Sequence, residues 1–170
     1  AAAPKEPLFL EDLETKISHV STDKSVKYDY DIVYVRAGRA GDEKHKRYYA
    51  DFSQPVTMEP GADLMLLHPD GSEELLVAGG SGSITDPVIS FDGKWVYYAY
   101  FHDQTKQAAW GYPRGGSDIY KINLESREIV RLTHQERTPN TGILSDDEAK
   151  SMPVFNLGPC PAPGGRLTFT

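Results

Sequence analysis

The clearest regularity in the chain is period-two alternation of apolar and polar residues, and it is strongest over residues 86–135. Residues 87–90 form a short extended run, Phe91-Asp92-Gly93-Lys94 carries the Asp-Gly pair favoured in tight hairpins, and residues 95–101 are rich in aromatic and β-branched side chains. After a polar, glycine-rich loop, residues 118–122 alternate again, residues 123–126 read as a turn, and residues 128–133 supply a fourth run. Four consecutive strands predict an antiparallel meander, the unit from which propeller blades are built.

The pattern recurs on both sides, and a repeat says more about architecture than any one segment. Residues 63–67, the turn 68–72 and residues 73–77 match residues 118–133, with Asp63 lying 55 positions before Asp118. Ile32-Val33-Tyr34-Val35 overlays Trp95 to Tyr98. Downstream, residues 159–170 overlay residues 87–98 at an offset of 72, which places Gly164-Gly165 on the Asp92-Gly93 turn. The expected fold is therefore all-β: a partial β-propeller of four-stranded antiparallel blades, about two blades and the start of a third. Its parts are an N-terminal extension over residues 1–29, a first blade with a long insertion over 30–80, a second blade over 84–135, a connection over 136–156 and the opening of a third blade over 157–170.

Composition narrows the function classes. A formal net charge of −7 and a pI near 5.2, with no compensating basic run, argue against nucleic acid as a partner. No apolar run reaches the roughly 20 residues of a membrane-spanning helix. A single cysteine, Cys160, excludes an internal disulfide framework. Residues 1–7 read as a lead-in, a linker end or the remnant of a cleaved secretory signal.

Two hydrophilic insertions carry the candidate partner-binding residues. Residues 37–61, with Arg36 just before them, hold a basic and aromatic cluster of Arg39, Lys44, His45, Lys46, Arg47, Tyr48 and Tyr49, suited to an anionic group or an acidic protein, or else a solvated excursion covering the propeller edge. Residues 102–117 offer Trp110, Tyr112 and Arg114, the residue types most enriched at interface hot spots, or a lid packed on its own blade. Catalytic signatures are missing: there is no Gly-x-Ser-x-Gly elbow, no phosphate-binding Gly-Lys-Ser/Thr loop, no His-Glu-x-x-His helix and no Cys-x-x-Cys-His haem attachment site. Gly79-Gly80-Ser81-Gly82-Ser83 leads into a strand and reads as an inter-blade linker. Asp146-Asp147-Glu148 reads as a solvated acidic run. None of the five histidines stands three or four residues from another, and His102, directly after the aromatic strand, is the one best placed to reach the binding end of a propeller. Cys160, between two prolines, takes the place of Val88 in the repeat; it is either a small buried hydrophobe or, as a thiolate, a soft-metal ligand.

The Asp-Gly-Lys turn at 92–94, Asp118-Ile119-Tyr120 and the closing Arg131-Leu132-Thr133 resemble the TolB-type propeller repeat. More narrowly, DIVYVRA, PGADLMLLHPDGSEELLVAGG, the hairpin ending in Phe101-His102, IVRLTHQERTPNTG and VFNLGPCPAPGG resemble the propeller region of the hydrazine synthase alpha subunit family, over about residues 30–170. That resemblance implies an exported protein in which the propeller accompanies c-type haem domains, with hydrazine made from nitric oxide and ammonium in the true synthase. It also implies a cysteine beside a haem and a zinc ion, a role that falls on Cys160 in Gly158-Pro159-Cys160-Pro161. No cofactor is expected within these residues alone; haem and zinc belong to a parent protein or complex. Because residues 166–170 read as a strand that should continue, the chain is expected to be part of a longer propeller or to be completed by a protein partner. Three functions follow: a non-catalytic scaffold segment of such an exported, haem-associated protein; a subunit of a multihaem oxidoreductase with Cys160 near haem or zinc; or a propeller that binds a peptide or protein on its loops.

Overall fold

A computed structural model describes residues 28–38, 59–105, 115–138, 145, 147 and 153–170. Among the described residues the chain forms β1 (Ile32–Arg36), β2 (Asp63–Leu67), β3 (Glu73–Val77), β4 (Ser83–Ile89), β5 (Trp95–Phe101), β6 (Ser117–Asn123), β7 (Ile129–Arg131), β8 (Cys160–Ala162) and β9 (Arg166–Thr168). These pair antiparallel into sheets of three, four and two strands, in the orders β1-β2-β3, β4-β5-β6-β7 and β8-β9. The four-stranded meander expected from the alternation is present. Its first strand begins at Ser83, earlier than the apolar run alone marks.

Register corrects one detail of the repeat. Ile32 lies opposite Leu67 and Arg36 opposite Asp63, while Val96 lies opposite Ile122 and Tyr100 opposite Asp118. With Asp63 and Asp118 equivalent, Ile32 corresponds to Val96, one residue beyond the sequence overlay on Trp95. A slip of one residue would turn every side chain of the strand to the other face. In the observed register Tyr34 is the counterpart of Tyr98, and Val33 and Val35 share a face with Leu64 and Leu66.

That face makes the core. Leu64, Leu66 and Leu76 of the first sheet meet Ile84, Val96, Tyr98 and Ile122 of the second, with Val33, Val35, Tyr100 and Tyr120 packed around them. Each large apolar side chain removed from water here contributes about 1.5–3 kcal/mol, which is why two sheets of modest length hold together. Tyr98 stacks on Tyr120 at 5.8 Å between ring centroids, and burial pushes its phenol pKa well up. At the rim Arg127 donates from Nε and Nη2 to both carboxylate oxygens of Glu74, at 2.8 Å each, which clamps the second sheet to the first.

The opposite face of the second sheet carries Ala99, Phe101 and Ile119, all fully buried, and Phe155 lies against Phe101 at 5.8 Å. The β8-β9 hairpin follows. Its turn is one residue shorter than the one it was overlaid on: Ala162 pairs with Arg166, whereas the Trp95 carbonyl accepts from the Ser90 N–H across four intervening residues. Gly165 and Gly93 nevertheless share φ +71°, so the left-handed step keeps its place in the repeat.

Candidate functional site

The β1–β2 connection of the first sheet and the β5–β6 connection of the second leave from the same end as the linker 78–82. The long insertions after Arg36 and after Phe101 occupy the same step of the repeat in neighbouring sheets. The linker between them is tightly packed. A Cβ added at Gly79 would lie 2.3 Å from the Ala62 carbonyl oxygen, and one at Gly82 would lie 2.2 Å from that of Phe101. The Gly82 carbonyl accepts from the Gly61 N–H and the Ala62 carbonyl from the Ile84 N–H. The glycines thus serve close backbone approach, as an inter-sheet linker requires.

At this end the structure assembles a polar cluster around Asp118, the second residue of β6, which is completely buried. One carboxylate oxygen, Oδ2, accepts from Arg131 Nη2 at 2.5 Å and from His102 Nε2 at 3.0 Å. The other, Oδ1, accepts from Thr133 Oγ1 at 2.6 Å, the Gln135 backbone N–H at 2.9 Å and Asn156 Nδ2 at 3.3 Å. Five donors saturate the carboxylate, which is how a buried charge is tolerated. Arg131 extends the network to Glu136 at 2.6 Å, and the His102 ring packs edge-on against Tyr100 and Tyr120. The Glu136 carboxyl is held below its ordinary range, first by its own backbone N–H and then by Arg131.

The cluster ties four pieces of chain together: the end of β5, the start of β6, the turn after β7 and residues 154–156. Ser117 adds to this, donating from Oγ to the Asn156 carbonyl at 3.0 Å and bridging to Phe155. Asp63, its counterpart in the first sheet, does the same in reduced form, accepting from the Gly79 N–H at 2.8 Å. An aspartate at the start of the strand after the long insertion, receiving the N–H of the loop after the next strand, is a repeated structural device. Its donors hold and orient; every oxygen a base or ligand would need is already engaged.

The sequence reading placed His102 at this end without foreseeing its partner, and it missed the meeting of Asp118, Arg131 and Asn156. The recurrence of Asp63 and Asp118 at one repeat position was the signal available for it. Trp110, Tyr112, Arg114, Arg47, Tyr48 and Tyr49 lie outside the described residues, but Arg36 and Gly115, which flank those two insertions, are at the same end of the sheets as the Asp118 cluster. Cys160 opens β8 as an exposed free thiol, which corrects the reading of it as a buried hydrophobe: the hairpin has nothing packed over that position among the described residues. No group of three or more His, Cys, Asp or Glu side chains among the described residues is arranged to hold a metal ion. No helix among them is long and apolar enough to cross a membrane. Comparison of the chain with models of known families, with curated proteins and with solved structures finds no match.

Proposed function

We propose that the chain is a non-catalytic propeller segment that serves as a scaffold, stacking sheet on sheet and presenting its loops at one end. The observation that carries this reading is a mismatch between equivalent faces. In the second sheet, Val96, Tyr98 and Ile122 are buried under the first sheet. The equivalent residues of the first sheet, Ile32, Tyr34 and Leu67, are only half-buried, and Leu75 beside them is 52% exposed. An apolar face that is covered in one repeat and only partly covered in the next, where Met65 is buried but Leu75 is exposed, calls for another sheet of the same kind, from the same polypeptide or from a protein partner.

The resemblance of GPCP and its surrounding motifs to the hydrazine synthase alpha subunit family supports placing this scaffold in an exported protein associated with c-type haem. In that setting the exposed thiol of Cys160 is the residue nearest to a cofactor role, as a zinc or haem neighbour. The test is the absorption spectrum, zinc content and intact mass of the native protein. A Soret band with a mass above 18.9 kDa is the expected result. A mass equal to this chain with neither haem nor zinc would remove the haem-associated reading and leave the stacking reading to stand on its own.

A second reading, protein or peptide binding through the loops, is favoured by the shared end from which both insertions leave. Loss of a captured partner on Trp110→Ala, with the fold intact, would support it.

A further inference from the structure

Asp86 stands at an unusual place in β4. The register of β4 against β5 shifts between Thr85 and Val88, so that one extra residue is accommodated there. Asp86 takes φ +52°, the left-handed region that favours glycine, and Pro87 follows it. One repeat later, Gly158 takes φ +58° and is followed by Pro159. The two residues are 72 positions apart, the same offset that relates the hairpins. Glycine at the second site shows that the backbone step itself needs no side chain.

The aspartate side chain therefore has a separate task, and the geometry shows what it reaches. Asp86 Oδ2 accepts the Gly158 backbone N–H at 3.1 Å, while Thr85 Oγ1 donates to Oδ1 at 3.1 Å and steadies the carboxylate. Residues 154–156 are already anchored to the second sheet by Ser117 and Asn156. Beyond Asn156, the hydrogen bonds that residues 157–170 make with other described residues run within that segment, from Leu157 to Thr170 and from Cys160 to Thr168, with the Asp86 bond as the exception. We infer that Asp86 is an inter-repeat latch: its carboxylate captures the backbone of its own counterpart in the next repeat and fixes where the hairpin bearing Cys160 starts. This is independent of any haem or partner, because it concerns only how one repeat sets the position of the following one.

Hydrogen exchange on the full chain tests it with two variants. Asp86→Gly keeps the left-handed backbone and removes the carboxylate; Asp86→Asn keeps a carbonyl acceptor and tolerates the same backbone. The latch predicts that Asp86→Gly exchanges the Gly158 amide about tenfold faster and loosens the β9 amides, while Ile84 and Ser117 remain protected and Asp86→Asn stays near wild type. Unchanged exchange at Gly158 in Asp86→Gly would overturn it. So would equal loss of protection at Ile84 in both variants, which would make Asp86 a requirement of the β4 bulge alone.

Discussion

The first and second sheets are built from one repeat, yet they differ in how completely they are covered. The second is enclosed by the first sheet on one face and by Phe155 and its neighbours on the other; the outward face of the first is only partly covered, with Met65 buried but Leu75 exposed. The same contrast runs through their polar ties, since among the described residues Asp118 gathers five donors where Asp63 accepts one. A repeat position thus fixes which way a side chain faces, whereas its energetic weight is set by what the neighbouring unit brings to it.

The largest effect that tests this contrast comes from the paired tyrosines. Tyr98→Ala should destabilise the chain by about 3–5 kcal/mol, because it empties the centre of the inter-sheet core. Tyr34→Ala, at the equivalent, half-buried position on the outward face of the first sheet, should cost about 1 kcal/mol. Denaturant unfolding of both variants gives the comparison, and equal losses would break it. Next come the aspartates: Asp118→Asn should cost about 2–4 kcal/mol by leaving Arg131 without its buried partner. Asp63→Asn, which keeps an acceptor for the Gly79 N–H, should cost about 1 kcal/mol or less.

The smallest effect is electrostatic. The Arg127 guanidinium holds the Glu74 carboxyl below its ordinary range, so its contribution is present above the unfolded glutamate pKa and is lost as pH falls through the depressed folded value. The pair is about one-third exposed on each side, and solvent screening keeps it to about 0.5 kcal/mol. His68, raised by its hydrogen bond to Asp31, has the opposite sign: its contribution is full below the ordinary histidine range and is lost as pH rises through the elevated value. Glu74→Gln should flatten the acid limb of a stability-against-pH curve and leave most of the neutral plateau. An unchanged acid limb would mean that the clamp at the rim adds nothing.

Much of the sheet architecture was legible because alternation is a property of the chain itself. The runs at 63–67, 73–77 and 95–101 become strands with those bounds, and the Asp92-Gly93 turn joins its two strands. What alternation does not encode is register across the pair. The first strand was overlaid one residue early because Ile32 and Val33 are equally good strand residues, and only the opposition of Arg36 to Asp63 decides between them. The Asp118 cluster was harder still. Its members come from positions 102, 118, 131, 133, 135 and 156, brought together by packing of the loop end, and only Asp118 sits at a position that the repeat marks twice. Cys160 was misplaced for a related reason: its counterpart Val88 lies in a four-stranded sheet, whereas β8 pairs with β9 alone.

The partly exposed outward face of the first sheet is the feature on which the scaffold reading turns, and side-chain footprinting with a diffusing carbene or hydroxyl radical measures it directly. Leu75 and Tyr34 should be strongly modified in the isolated 170-residue chain and protected in the native protein, where Tyr98 is protected in both. Equal modification of Leu75 and Tyr34 in the two preparations would contradict the account, because it would show that nothing stacks on that face.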